Sequence, residues 1–140
     1  MKKIFFTMAL LACTAGIMTV SAQKKVALKV STVAQGAESK TVNVTKDKKG
    51  YITLFDGKNL DGWRGYGKDH VPARWTVEDG CLKFNAGQGE GGDIIFAHKF
   101  KNFILEMEWK VSKGANSGIF YLAQEVKNDK GGMEPDRKST

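Results

Sequence analysis

Two glutamates, Glu106 and Glu108, stand two residues apart in the run Ile104-Leu105-Glu106-Met107-Glu108-Trp109-Lys110-Val111. Carboxylates of this kind serve as general bases, as the acid–base pair of a glycosidase, or as hard oxygen ligands for a divalent cation. If the run is a strand, its side chains alternate. Leu105, Met107, Trp109 and Val111 then share a core face, and Ile104, Glu106, Glu108 and Lys110 share the opposite one. Same-face neighbours lie about 6.5–7 Å apart along a strand. Glycosidase pairs straddle the sugar instead, so a same-side pair suits a cation better than a dyad. The plainer alternative is a solvated carboxylate, with Glu108 paired to Lys110 or to a cross-strand lysine.

Other side chains offer binding rather than bond-breaking. Gly114-Ala115-Asn116-Ser117-Gly118 reads as a turn, followed by a returning strand with Ile119, Phe120 and Tyr121. Asn116 either accepts a left-handed backbone there or offers its side-chain amide to a ligand. Tyr121 and Gln124 line a groove, or Tyr121 enters the core with its hydroxyl satisfied. Asp93 follows the glycine-rich stretch 87–92 and either holds a hydroxyl or caps a turn. Trp63, beside Arg64 and Tyr66 among Gly62, Gly65 and Gly67, presents a ring on which a pyranose can stack. Trp109 belongs to the core face and is read as packing. His70 and His98 have no metal-ligand spacing, and both are read as surface or structural. Cys81, between Gly80 and Leu82, is read as a small buried hydrophobe; no histidine stands beside it in the sequence to activate a thiol.

The elements that must position these groups are strands. Tyr51-Ile52-Thr53-Leu54-Phe55 ends at Asp56-Gly57. Trp75-Thr76-Val77-Glu78 turns through Asp79-Gly80, a hairpin pair, and returns as Cys81-Leu82-Lys83-Phe84. Ile94-Ile95-Phe96 follows the glycine loop. No window beyond the first 22 residues sustains apolar spacing of helical period, so an all-β sandwich or barrel is expected. Residues 23–50, rich in Val, Thr, Ser and Lys, read as an edge hairpin with Gly36 at its turn or as an extended linker. The run Lys46-Asp47-Lys48-Lys49-Gly50 marks a boundary, and residues 127–140 read as a polar tail.

Lys2 and Lys3 precede an apolar stretch from Ile4 to Val20, and Val20-Ser21-Ala22 offers a cleavage site before Gln23. This predicts a signal peptide over 1–22 and export to the periplasm or cell envelope, with no transmembrane segment in the mature chain. Leu10-Leu11-Ala12-Cys13 offers lipidation at Cys13 as the lesser alternative. The formal charge is +7, and losing the leader leaves 20 basic against 15 acidic side chains. Much of that excess sits in residues 24–49, without interleaved aromatics, so solvated lysines are expected and nucleic-acid binding is not.

One ordered set of motifs is more specific. Phe55-Asp56-Gly57-Lys58-Asn59-Leu60-Asp61-Gly62-Trp63 is followed by Trp75, Asp79-Gly80, Gly91-Gly92-Asp93, Phe103, Leu105, Glu108-Trp109 and Asn116-Ser117-Gly118-Ile119. The set resembles the 3-keto-disaccharide hydrolase family across roughly residues 50–125, and it resembles the N-terminal half of that domain. The resemblance implies a concanavalin A-like jelly-roll sandwich, incomplete in this chain, in an exported carbohydrate-active protein. It implies cleavage of glycosides whose sugar is oxidised at carbon 3. Glu108 then falls on the base or ligand position, with Glu106 as the second carboxylate. Asn116, Tyr121, Gln124, Trp63 and Asp93 are the candidate saccharide contacts, with a divalent cation as an optional cofactor. A non-catalytic carbohydrate-binding module is the alternative on the same fold.

Overall fold

The computed structural model describes residues 24–32, 39–127 and 133–139, the backbone alone from 126 onward. The expected leader with Cys13 and the expected turn at Gly36 lie outside the described residues, as do residues 128–132. Nine strands run through the rest, with no helix among the described residues, so the chain is all-β as expected.

The first sheet contains β1 (Lys24–Val30), β2 (Lys40–Lys46) and β3 (Ile52–Thr53), all antiparallel, in that order. Its register sets Val26 opposite Val44 and Leu28 opposite Val42. Branched apolar side chains therefore stack on one face while Ala27 and Lys29 turn outward. Leu28, Val30 and Val44 become buried, and with Ala97 they form the apolar core of the described residues. Lys24–Val30 and Lys40–Lys46 are thus paired strands rather than parts of an extended linker. Asp47 turns the chain into β3 through its backbone and through Oδ1, which accepts from the N–H groups of Lys49 and Tyr51.

Three two-stranded sheets follow. β4 (Trp63–Gly65) pairs with β7 (Ile94–Phe96), β5 (Trp75–Glu78) with β6 (Cys81–Phe84), and β8 (Phe120–Lys127) with β9 (Met133–Ser139). Asp79 and Gly80 between β5 and β6 both have positive φ, 50° and 72°. That is the two-residue geometry whose twist matches a hairpin. Backbone bonds tie the hairpin of the first sheet to β7: the Ser31 amide donates to the Ala97 carbonyl at 2.6 Å, and the Ala97 amide to Gly62 at 2.8 Å.

Several expectations need correction. Residues 104–111 are not a strand: no partner lies alongside them among the described residues, and both of their predicted faces are exposed. Trp109, read as core, is 47 % exposed. Alternation specifies which side chains share a face but does not supply the neighbour that makes a strand. The turn falls one step early, with Ala115 donating to Ser112 and Gly114 at φ 77°. Asn116 has no left-handed backbone, because Gly114 takes that conformation at no steric cost. Cys81 is exposed, since the β5–β6 hairpin leaves it uncovered at the turn. The polar tail contains β9, whose residues carry no apolar alternation and pair through the backbone.

Candidate functional site

Among the described residues, three polar arrangements bear on a candidate site, and a further cluster flanks the third. The first is the exposed segment with the two glutamates. Tyr51, at the edge of β3, donates its hydroxyl to Glu106 Oε1 at 2.8 Å. This bond to the carboxylate, and its negative charge, raise the Tyr51 pKa above the ordinary phenol value, so the phenol keeps its proton and acts as a donor. Glu108 is exposed, with no hydrogen-bond or ion-pair partner among the described residues. Because the strand is absent, the pleat that would aim both carboxylates one way is absent as well. No third His, Cys, Asp or Glu joins them among the described residues to form a metal-binding group.

The second place is a shallow cleft of about 210 Å³ between the β1–β2 hairpin and residues 60–69, lined in part by Lys40, Asp61, Trp63, Arg64 and Asp69. Trp63 is only half-exposed here. Its Nε1 donates to the Leu54 carbonyl at 2.8 Å, and its ring meets Phe96 edge-on at 5.6 Å. The glycines around it have a local reason. A Cβ on Gly62 would lie 2.6 Å from the Phe96 ring, and its φ of 85° already favours glycine.

The third place is a polar tie that the sequence did not single out. Arg64 is 3 % exposed, yet every part of its guanidinium has an acceptor. Nε donates to Ser31 O at 2.7 Å, and Nη1 to the carbonyls of Gly65 and Lys68. Nη1 and Nη2 grip Glu125 at 2.5 and 2.6 Å. Glu125 also accepts from the Gly67 amide at 2.8 Å. Burial works to raise the Glu125 pKa, but the Arg64 bonds, the Gly67 amide and nearby positive charge outweigh it and hold the carboxylate below its usual value. Tyr66 reinforces the junction by donating its hydroxyl to the Gln124 carbonyl. Sixty-one residues separate Arg64 from Glu125, and no local spacing announces such a pair.

A second cluster flanks the tie. His70 Nδ1 meets Asp69 at 2.8 Å, and Nε2 meets Glu90 at 2.6 Å, while Lys68 Nζ also reaches Glu90 at 2.6 Å. The bonds to Asp69 and Glu90 raise the His70 pKa, and the carboxyls of both partners are lowered. This fastens the glycine-rich loop to the loop after β4. His98 is structural, as expected, with Nδ1 against the Lys29 carbonyl at 3.0 Å and its ring edge-on to Phe100.

The remaining candidates are dispersed. Asp93 is exposed, and its carbonyl accepts from the Tyr66 amide at 2.8 Å. Asn116 is exposed outside any strand, and Tyr121 and Gln124 sit in β8 on either side of a register shift. Gln124 thus joins the Arg64–Glu125 neighbourhood through its backbone, and Trp63 joins Asp61 and Asp69 at the cleft.

Comparison with known proteins places this arrangement. Residues 50–137 match the model of the 3-keto-alpha-glucoside-1,2-lyase-like domain. The chain is also 53 % identical, over 153 aligned residues, to a 3-keto-disaccharide hydrolase of Bacteroides thetaiotaomicron, an alignment covering 96 % of this chain and 53 % of that protein. The chain therefore spans about half the length of this curated relative. With most of its own length matched by the domain model and almost all of it by the relative, the chain belongs to the 3-keto-disaccharide hydrolase family.

Proposed function

We propose that the protein takes part in cleaving the glycosidic bond of 3-keto-glycosides, in the periplasm or cell envelope, on a jelly-roll sandwich. The observation that carries this reading is the 53 % identity to a 3-keto-disaccharide hydrolase across nearly the whole chain. The matching domain is a 1,2-lyase-like one, which favours elimination followed by hydration over direct displacement. A ketone at carbon 3 acidifies the hydrogen on carbon 2. A carboxylate base removes that proton, the C1–O bond to the leaving sugar breaks, and a C1=C2 double bond forms as the leaving oxygen takes up a proton. Water then adds its oxygen to carbon 1 and returns a proton to carbon 2, which completes net hydrolysis. Glu108 is the base in this scheme. The Tyr51 hydroxyl, held protonated against Glu106, is a donor that reaches this segment from the edge of β3. Asn116, Tyr121, Gln124, Trp63 and Asp93 are the saccharide contacts. The leader over 1–22 supports export.

The test uses the natural protein and a 3-keto-disaccharide in deuterated water. Early incorporation of deuterium at carbon 2 of the released keto sugar supports elimination. Release without incorporation overturns that route in favour of direct displacement. Glu108→Gln is expected to lower turnover by about 100-fold or more while saccharide binding persists. Binding with no turnover in the unaltered protein would instead establish a carbohydrate-binding module.

A further inference from the structure

The shallow cleft has walls of two origins. Val30, Lys40 and Val42 come from the β1–β2 hairpin, ahead of the residues 50–137 that match the domain model, and Leu60, Asp61 and Trp63 come from the turn into β4. Val30 pairs with Lys40 and Leu28 with Val42, so Val30, Lys40 and Val42 share one face of the hairpin. The aliphatic side chains and Trp63 give the cleft an apolar lining, to which Lys40, Asp61 and Asp69 bring charged ends. An apolar lining with a few convergent polar groups is the make-up of a small-molecule site. The Asp61 carboxylate is exposed and makes no hydrogen bond or ion pair among the described residues. The Asp69 carboxyl is held below its usual pKa chiefly by the His70 bond, and the nearby Lys40 charge contributes.

These groups select among ligands. Two carboxylates against the Lys40 ammonium disfavour an anion, because Arg64 already directs its donors to Ser31, Gly65, Lys68 and Glu125. Carboxylates accept from hydroxyls and an ammonium donates to them, while an apolar lining covers the C–H face of a sugar ring. At about 210 Å³ the cleft is smaller than the roughly 300 Å³ at which sites for drug-sized molecules begin, which suits one ring rather than two. Its place is also informative. Lys40 opens β2 and Lys46 closes it, about 20 Å away along the strand. The cleft lies at the Lys40 end, whereas Tyr51, which holds Glu106, is bonded to Asp47 just past the other end.

We propose that the cleft is an ancillary site for a single neutral pyranose, separate from the segment that bears Glu106 and Glu108 and indifferent to oxidation at carbon 3. Asp61 and Lys40 hold its hydroxyls, and Trp63 lines its apolar side. The inference rests on the reading of the protein as saccharide-acting, and it assigns Trp63 to a ring other than the one that is cleaved.

The full chain is titrated with the methyl pyranosides of glucose, galactose and mannose, none of which carries a ketone, and the Trp63 indole N–H is followed by NMR. A saturable shift is expected with at least one of them. Asp61→Asn is expected to weaken binding by about tenfold or more and Lys40→Ala by about threefold. Lys101→Ala, which does not line the cleft, and Glu108→Gln leave it unchanged. Asp61 and Lys40 are exposed, so both variants should fold, and an otherwise unchanged spectrum checks this. These glycosides do not undergo elimination next to a ketone, so failure of the deuterium test leaves this result standing, and failure of the titration leaves that route standing. Four results would overturn the proposal. These are no shift with any of the three glycosides, binding undiminished in both cleft variants, preference for inorganic phosphate titrated in parallel, and loss of binding in Glu108→Gln, which would make the cleft and the glutamate segment one site.

Discussion

Arg64 shows how a charge is kept inside a thin core. Its lost hydration is offset because Ser31, Gly65, Lys68 and Glu125 all accept from it. Removing one partner leaves a cation with fewer acceptors than it needs. Glu125→Gln is therefore expected to destabilise the fold by about 2 kcal/mol, read as a lower urea midpoint with an unchanged slope. The folded-state pKa of Glu125 is depressed, so its contribution is present above the unfolded value of about 4.3 and is lost as pH falls through the folded value. The unaltered protein should lose stability across that acid window, and Glu125→Gln should flatten the loss. His70 has the opposite sign. Its folded pKa is raised by Asp69 and Glu90, so its contribution is complete below about 6.5 and fades as pH rises through the folded value. An imidazole titration followed by NMR should show the raised midpoint in the unaltered protein, returning toward the ordinary value in Glu90→Gln.

At the level of elements, glycine placement decides where chains approach. Gly62 holds a positive φ and lies against the Phe96 ring that also packs on Trp63. Gly62→Ala is expected to cost about 2 kcal/mol from backbone strain and overpacking together, seen as a lower melting temperature with far-UV signal intact below it. The same scale shows what was legible beforehand. Asp79-Gly80 was readable because two consecutive left-handed residues admit few side chains. The weak Val26, Leu28, Val30 alternation left a hairpin and a linker both open, and the pairing of β1 with β2 decides between them. The alternation at 104–111 was clear, but a strand is a relation between two segments, and a pattern in one does not create the other. β9 was missed for the converse reason: it has a partner and no pattern. The glycine setting of Trp63 was legible in the sequence, and the residue lines the cleft. Arg64, Glu125 and Glu90 were not legible, because their meaning lies in contacts made across loops and sheets.

Over the whole molecule, the family match begins at residue 50, but the buried apolar residues Leu28, Val30 and Val44 all precede it. The hairpin they belong to is joined to β3 by pairing, to Ala97 by Ser31 and to His98 by Lys29. These joins have a temporal consequence. Ser31 reaches Ala97 across 66 residues, Lys29 reaches His98 across 69, and Arg64 reaches Glu125 across 61. Contacts so distant along the chain close slowly, because each must gather a long loop before it is rewarded. A polypeptide emerging from its N-terminus, whether from a ribosome or through a translocation pore, cannot seal this core until residue 97 has followed residue 31 out. Until then the hairpin waits with its apolar face open, and the molecule stays threadable.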